Sequence, residues 1–341
     1  MNSQGVTIEK QKPSGMLVHY LEPLLPFLHD KDLTEICINK PGEVWTEGPS
    51  GWLCHKVASL DFDNCMRIGT LTASYNGKTL SEKAPILSAT FPTGERVQIV
   101  IPPATKDNTV SITIRKPSMI DKTLDELDHE GAFEEYLDAG DSLTSTELQL
   151  LELRKNRKIK EFLDLAVKSH RNILIVGKTG SGKTTVTKCL IRSIPIEERL
   201  ITIEDVPELF LNQHTNKVHL FYGRSDEKGM AVTSKQALAS CLRMKPDRIL
   251  LAELRGDEAW EFIKSINTGH PGSISTMHAN GAYEAFEQLT ALIKDSTTGA
   301  HLDSAYVRHR LFTTLDIVLF YSNRKLREIY YDPEFKRKHL A

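Results

Sequence analysis

The feature that most constrains this chain is a glycine-rich loop at residues 177–184, Gly-Lys-Thr-Gly-Ser-Gly-Lys-Thr. It completes the pattern G-x-x-x-x-G-K-[ST], in which glycines let backbone N–H groups converge on phosphate oxygens. The apolar run 172–176 before it is typical of a buried strand, and apolar residues recur at helical spacing over 186–194. Because the following helix points its N-terminal dipole at the same anion, this order predicts a nucleotide site in an α/β domain.

The side chains of the loop have separate expected roles. Lys183 can reach the β- and γ-phosphates, and Thr184 can offer its hydroxyl to Mg²⁺. ATP with Mg²⁺ is therefore the predicted cofactor. The residues predicted to bind the nucleotide are Gly177, Lys178, Thr179, Gly180, Ser181, Gly182, Lys183, Thr184 and Thr185.

Composition indicates two domains and narrows the function classes. A chain of 341 residues is long enough for about two domains. Its 43 Lys and Arg against 45 Asp and Glu give a net charge of −2, so no global basic excess points to nucleic acid, and direct nucleic-acid binding is not expected. The five cysteines show no metal-binding spacing and indicate reduced thiols in a cytoplasmic protein.

Four segments are expected along the chain: a flexible N-terminus (1–12), an α+β domain (13–116), an acidic linker (117–146) and an α/β domain (147–341). The first domain should have helices at 17–28 and 62–75 and strands at 33–39, 43–46, 52–57, 86–91, 96–101 and 110–115. In the last domain a helix is expected at 146–167, and apolar strands at 200–203, 218–221, 248–252, 273–276 and 317–321 alternate with helices.

Three carboxylates follow one of these apolar strands. Glu204, Asp205 and Glu208 come just beyond the run 200–203. In a doubly wound sheet, ligands bind beyond the carboxyl ends of the strands. We therefore predict that Asp205 is a Mg²⁺ ligand and that Glu204 and Glu208 are catalytic candidates. Which of the two glutamates lies nearer the attacking water stays open.

Another strand ends in an acid at Glu253. The segment 248–253 has the four-apolar-plus-acid form of a Walker B strand, with Ala252 where many phosphate-loop enzymes carry Asp. Glu253 is the only acid at this strand end. It is therefore predicted to polarise the attacking water, to support Mg²⁺ partly through water, or to do both.

A histidine and several arginines complete the candidate site. His278 stands in a frame rich in Gly, Ser and Thr, and we predict that it donates to the γ-phosphate or relays the nucleotide state to a neighbouring subunit. Arginines stabilise charge in phosphoryl transfer, in cis or from a neighbouring subunit. Arg255 lies beside the Walker B strand, and Arg96 and Arg115 lie near strand ends of the N-terminal half. Spacing alone does not distinguish these three from surface arginines.

Taken in order, these motifs form a known signature. The chain resembles the type II/IV secretion ATPase superfamily, with its Asp box (Glu204, Asp205, Glu208), Walker B acid (Glu253) and His box (Gly269, His270, Thr276, His278). More narrowly, it resembles the hexameric traffic ATPases of bacterial type IV secretion systems. The stretches 94–116 and 241–256 carry that closer match.

The resemblance implies a fold, an activity and a setting. It implies a C-terminal RecA-like P-loop ATPase domain with an N-terminal α+β (PAS-like) domain, assembled as a homohexamer. Arg96 and Arg115 match N-terminal arginines that approach the phosphates in relatives. The enzyme is expected to be a Mg²⁺-dependent ATPase that powers pilus biogenesis or translocation of protein or DNA. Other secretion-channel ATPases and inner-membrane components are the implied partners.

Attachment to the inner membrane is expected to be peripheral. The apolar runs are far shorter than the roughly 18 residues of a membrane-spanning helix. Protein partners or lipid head groups would then hold the protein at the cytoplasmic side. The protein is therefore expected to be cytoplasmic and peripherally associated with the inner membrane, where the implied partners lie.

Two alternatives stand beside this interpretation. A type IV pilus or type II secretion motor would carry the same catalytic residues, and neighbouring pilin genes would distinguish it. A nucleic-acid-binding RecA-like translocase would need a basic stripe interleaved with aromatic residues. The basic tracts 155–160 and 336–338 are short and poor in aromatic residues, which disfavours that class.

Overall fold

Two compact units, Met1–Ser118 and Met119–Ala341, divide the chain in this computed structural model. The boundary falls inside the segment predicted as a linker, 117–146, so that its residues from 119 onward belong to the second unit. The N-terminus predicted to be flexible, 1–12, lies outside the described residues. The structure describes residues 15–117, 121–136, 140–223 and 232–340.

An antiparallel sheet of six strands forms the first unit. Its strands are β1 (Glu35–Ile38), β2 (Glu43–Gly48), β3 (Gly51–Lys56), β4 (Ile86–Thr90), β5 (Arg96–Val100) and β6 (Ser111–Arg115). Their spatial order is β3-β2-β1-β6-β5-β4. The helices are α1 (Gly15–Leu21), α2 (Leu25–His29) and α3 (Phe62–Tyr75). Leu17 of α1 and Ile68 of α3 pack with the inner face of the sheet in one apolar core.

The predicted helix over 17–28 is divided in the structure. A 3₁₀ turn at Glu22–Leu24 separates α1 from α2. Pro23 and Pro26 lie in the first turns of the 3₁₀ segment and of α2. Because proline lacks an N–H, it removes a helical hydrogen bond and is tolerated only near a helix start. Two short helices therefore replace one.

A seven-stranded sheet forms the centre of the second unit. Its strands are β7 (Ile173–Val176), β8 (Leu200–Glu204), β9 (Lys217–Phe221), β10 (Arg248–Leu251), β11 (Ile274–Met277), β12 (Ile317–Ser322) and β13 (Lys325–Tyr331). Their order is β13-β12-β7-β11-β10-β8-β9, and every neighbouring pair except β12 and β13 is parallel. The α/β prediction for this domain is confirmed.

Helices precede, connect and follow the strands of the second unit. They are α4 (Leu124–His129), α5 (Ser145–Lys155), α6 (Ile159–Lys168), α7 (Lys183–Ile191), α8 (Ser234–Cys241), α9 (Glu258–Ile266), α10 (Glu284–Asp295), α11 (Ser304–Thr314) and α12 (Pro333–Leu340). Phe162, Leu190 and Ile317 are among the side chains that pack helices and strands into one apolar core. No helix of the described ranges is long and apolar enough to cross a bilayer.

One helix predicted at 146–167 is two helices in the structure. A capping box starts α5, since the Thr144 side chain accepts from the Glu147 N–H while the Glu147 carboxylate accepts from the Thr144 N–H. The helix ends at Lys155, and Arg157 has a left-handed φ of 54°. A left-handed residue cannot continue a right-handed helix. The apolar spacing continued across this break, so periodicity alone could not find it.

The last strand was not predicted from the sequence. β13 pairs antiparallel with β12 and forms a hairpin at one edge of the sheet. Asn323 and Arg324, at the turn, both have positive φ, of 51° and 59°. Two left-handed residues in succession are the geometry of a type I′ turn, which matches the twist of a hairpin.

The parallel order brings the candidate motifs to one edge of the sheet. The phosphate loop follows β7, the Asp box follows β8, Glu253 follows β10 and His278 follows β11. These four strands are neighbours in the order β7-β11-β10-β8. Because they are parallel, their carboxyl ends meet, as the sequence predicted.

Candidate active site

Glycines shape the loop between β7 and α7. Gly177 has a φ of 154°, and a Cβ there would lie 2.2 Å from the Tyr321 carbonyl oxygen and 2.6 Å from Ser181 Oγ. Gly182 caps α7 with a φ of 100°, in the left-handed region that favours glycine. The loop therefore folds as the glycine-rich pattern predicted.

Lys183, the first residue of α7, is largely buried at the base of this loop. Its Nζ donates to the carbonyl oxygens of Gly177, at 2.7 Å, and of Lys178, at 3.2 Å. Burial lowers the pKa of the Lys183 ammonium from its ordinary value, and Glu253 opposes that shift. The ammonium is thus held by two carbonyls inside the loop, beside the position where a phosphate would lie.

A cavity of about 640 Å³ opens over the loop at the carboxyl edge of the sheet. Its described lining comprises Lys178, Thr179, Gly180, Ser181, Gly182, Lys183, Thr184, Thr185, Val186, Asp205, Glu208, Ala252, Glu253, Arg255, Thr276, His278, Tyr321 and Arg324. This volume lies within the ordinary range of small-molecule sites. Nearly all the residues predicted to bind the nucleotide line it, and Gly177 contributes the carbonyl that holds Lys183.

The two Asp-box glutamates lie in different places. Glu208 lines the cavity, and its Oε2 lies 3.4 Å from the Thr184 hydroxyl that points to it. Glu204 is not among the described lining residues, because its side chain is fully buried under the loop that follows β8. Its carboxylate accepts four hydrogen bonds there, two of them from backbone amides. Of the two glutamates predicted to be catalytic, only Glu208 faces the cavity.

A chain of charged side chains crosses the wall opposite the loop. His278 Nε2 lies 2.9 Å from Glu253 Oε1, and Glu253 Oε2 accepts from Arg255. The same guanidinium donates from Nη1 to Asp205 Oδ2 at 2.8 Å. The hydrogen bond to Glu253 raises the pKa of Arg255. The three predicted catalytic residues of this wall and the predicted Mg²⁺ ligand Asp205 therefore form one connected group.

Of the other His-box residues, Thr276 lines this cavity, whereas His270 lies at the opposite ends of the strands. His270 precedes β11, at the amino edge of the sheet, where its Nδ1 is 3.0 Å from the Pro246 carbonyl oxygen. Arg96 and Arg115 belong to the first unit, where they are register partners across β5 and β6. Arg115 Nε lies 3.8 Å from Glu35 Oε1. The catalytic roles assigned to Arg96 and Arg115 stay predictions.

The lining residues that the sequence did not predict include two from the last hairpin. Tyr321 and Arg324 come from the β12–β13 hairpin, and the Arg324 backbone N–H donates to the Ser181 carbonyl at 3.1 Å. The hairpin turn is thus fastened to the phosphate loop. The signal in the sequence was Ser322-Asn323-Arg324-Lys325, a polar turn between two apolar alternations.

Comparison with known proteins gives concordant matches. The sequence profile of the family described as "Type II/IV secretion system protein" matches residues 21–319. The chain is 44% identical over 335 residues to "Type IV secretion system protein VirB11" of Brucella suis, covering 96% of this chain and 93% of that protein. It is 46% identical over 335 residues to the protein of the same name from Bartonella quintana, covering 94% of each.

A solved structure agrees with the sequence matches. It is described as the crystal structure of the VirB11 ATPase from the Brucella suis type IV secretion system in complex with sulphate. The two structures superpose with a TM-score of 0.89 at 43% identity, over 95% of this chain and 99% of that one. The fold class predicted from the sequence, with a C-terminal RecA-like domain, is confirmed by this likeness.

Proposed function

Because the chain belongs to the type II/IV secretion system protein family and is an ATP-hydrolysing motor of type IV secretion, we propose that hydrolysis takes place in the cavity at the carboxyl edge of the β7–β13 sheet. The observation that carries this is the convergence of the phosphate loop, Glu208, Glu253 and His278 on one space. The energy released would drive pilus biogenesis or translocation of protein or DNA through the secretion complex.

The phosphate loop and its neighbours supply the groups for MgATP. Backbone N–H groups of 178–185 would bind the phosphates, and Lys183 would exchange its two carbonyl partners for phosphate oxygens. Mg²⁺ fits the hard oxygen donors beside the loop, which are the Thr184 hydroxyl and the carboxylates of Asp205 and Glu208, with Glu253 through water. When bound, the ion neutralises charge on the phosphate oxygens.

The wall of carboxylates would activate and orient the attacking water. Glu253 is the residue we assign to accept the proton, and His278 Nε2 lies 2.9 Å from its Oε1. Arg255 donates a hydrogen bond to Glu253, lines the same cavity and would move onto a phosphate oxygen as charge develops. Glu208 orients the Thr184 hydroxyl.

Loss of the loop lysine tests the location of the site. We expect Lys183→Ala to abolish ATP turnover and secretion while the unfolding temperature is retained, because one cation is lost from a cradle built mainly of backbone groups. Lys155→Ala, a surface lysine at the end of α5, is the matched control and should hydrolyse ATP normally. Normal turnover in a folded Lys183→Ala protein would overturn the proposal.

A ring of six chains is the proposed working form. This rests on the resemblance of the motifs to ring-shaped secretion ATPases and on the symmetry rules of homo-oligomers. Light scattering should give a mass of about six times the 38.4 kDa chain, favoured by MgATP. A monomer that is fully active at every concentration would contradict the ring.

Peripheral association with the inner membrane is proposed from the family's setting. Contacts to other secretion-channel ATPases, inner-membrane components or lipid head groups would hold the protein there. Charge-mediated contacts weaken as salt screens them, with a Debye length of about 8 Å at physiological ionic strength. Fractionated cells should show membrane-bound protein that high salt releases, and protein that resists both salt and carbonate would rule out this mode.

A further inference from the structure

The buried carboxylate of Glu204 shapes the loop that carries Glu208. Glu204 Oε2 accepts from the backbone N–H of Glu208 and from that of Leu209, each at 2.7 Å. The two bonds close a turn immediately after β8. The Glu208 side chain reaches the Thr184 hydroxyl. By accepting from the Glu208 backbone N–H, the Glu204 carboxylate fixes the position from which that side chain extends into the cavity.

The other oxygen of Glu204 has two side-chain partners. Oε1 accepts from the Thr202 hydroxyl at 2.5 Å and lies 3.1 Å from His219 Nδ1. A buried carboxylate is costly unless its oxygens are satisfied. Burial raises the pKa of the Glu204 carboxyl, but the hydrogen bonds from His219, Thr202 and the two amides lower it by more. The Glu204 carboxylate therefore stays anionic and holds the turn by accepting from the two backbone amides.

His219 lies on β9, the strand beside β8 in the sheet. The parallel register places it beside Thr202, whose Oγ1 is 2.9 Å from His219 Nδ1, and the imidazole is largely buried. Its ring lies nearly parallel to that of Phe221, with 14° between the planes and 6.5 Å between the centroids. Since a carboxylate can only accept, Nδ1 must carry the proton where it faces Glu204.

We propose that His219 is a positioning residue for ATP hydrolysis, acting through Glu204 and the amides of Glu208 and Leu209 to hold the Glu208 carboxylate at Thr184. The assignment rests on the proposed function, since it gives Glu208 a role in the site. It is carried by the unbroken chain of contacts from β9 to the phosphate loop. It also accounts for an acid in the Asp box that does not face the cavity.

Two matched substitutions distinguish loss of the N–H donor at His219 Nδ1 from loss of side-chain packing. His219→Asn keeps an N–H at the position of Nδ1, and His219→Leu has nearly the shape of asparagine without that donor. We expect His219→Leu to lower kcat by about 10–100-fold, the usual effect of removing a partner that orients a site ligand. His219→Asn should stay within about threefold of wild type. Affinity for a fluorescent ATP analogue should change far less than kcat in both variants.

Two further variants test the role of His219 if His219→Leu does not fold. His219→Gln carries its amide farther out, at the level of Nε2, and should lose kcat as His219→Leu does. The double variant Glu204→Gln/His219→Leu should be no slower than Glu204→Gln alone, because both changes remove the same connection. Equal rates for the asparagine and glutamine variants, or additive losses in the double variant, would overturn the role of His219.

The outcome for His219 is separable from that of the site itself. Turnover retained by Lys183→Ala would refute the proposed site. Turnover lost in Lys183→Ala but unchanged in a folded His219→Leu protein would refute the positioning role alone.

Discussion

The two edges of the seven-stranded sheet carry charged side chains of the same kinds, held in different ways. At the amino edge, Arg248 is fully buried, and its guanidinium binds both oxygens of Glu198, at 2.5 and 2.8 Å, and the Val167 carbonyl at 2.6 Å. At the carboxyl edge, Glu253 and Arg255 pair along the wall of an open cavity. An ion pair packed inside the protein has no ligand beside it. In an ion pair on a cavity wall, a bound ligand can replace one of the two partners.

The two histidines of the His box lie at opposite ends of the strands and have different surroundings. His278 at the carboxyl edge lies against Glu253, while His270 at the amino edge contacts the Pro246 carbonyl. A strand only four residues long, β11, separates the two. We therefore assign chemistry to the carboxyl edge and stability to the amino edge.

The largest effect is expected from Glu253→Gln. An amide of the same shape cannot accept the proton, so turnover should fall by about 10²–10⁴-fold while MgATP binding is retained. Glu197→Gln, on the surface near the amino edge, is the control and should change neither quantity. Parallel measurement of ATP affinity and single-turnover rate checks this, and equal loss of both would restrict Glu253 to a metal-supporting role.

Removal of the buried guanidinium should act on stability instead. We expect Arg248→Ala to lower the free energy of unfolding by about 3–5 kcal/mol, because it leaves the Glu198 carboxylate without its partner in a packed edge. Denaturant titration measures the loss. The rate per folded molecule should stay near wild type, and a selective loss of rate without loss of stability would break the comparison.

A smaller effect is expected at the hairpin. Arg324→Ala removes a side chain from the cavity but keeps the backbone bond to Ser181, so nucleotide affinity should weaken by about threefold to tenfold, or roughly 1 kcal/mol. Lys325→Ala, its exposed neighbour, is the control. Equilibrium binding of ATP is the measurement, and unchanged affinity would remove Arg324 from the site.

The smallest expected effect is a pH dependence of stability at the amino edge. Burial lowers the pKa of His270 below its ordinary value, so the folded protein keeps this imidazole neutral. Its contribution to stability is present above the unfolded pKa of about 6.5 and is lost as the pH falls through the folded pKa. His270→Asn keeps a donor for the Pro246 carbonyl. Its free energy of unfolding should fall less than that of wild type between pH 8 and 5.5.

The sequence could predict the elements of this site because each motif is local. The phosphate loop, the acid at Glu253 and the strands that carry them all follow from short patterns and from the rule for parallel sheets. Which of Glu204 and Glu208 faces the cavity could not be predicted, since both are acids at the end of one strand. Glu204, which is buried, contacts His219 on the neighbouring strand β9, 15 residues away in the sequence.

The hairpin and the helix break were missed for a related reason. β13 pairs only with β12 at the edge of the sheet, and its alternation of apolar and polar residues is broken by the adjacent charged residues Arg327 and Glu328. The break after Lys155 depends on a left-handed Arg157, which no spacing of apolar residues reveals. Both features depend on one or two residues with positive φ rather than on periodicity.

We propose that nucleotide binds at the carboxyl edge and that the amino edge serves stability alone. The shift in unfolding temperature caused by saturating MgATP tests it most directly, because a ligand stabilises only the folded protein that binds it. Wild type and Arg248→Met should gain the same shift from their different starting temperatures, and Lys183→Ala should gain little or none. A full shift in Lys183→Ala, or its loss in Arg248→Met, would contradict the account.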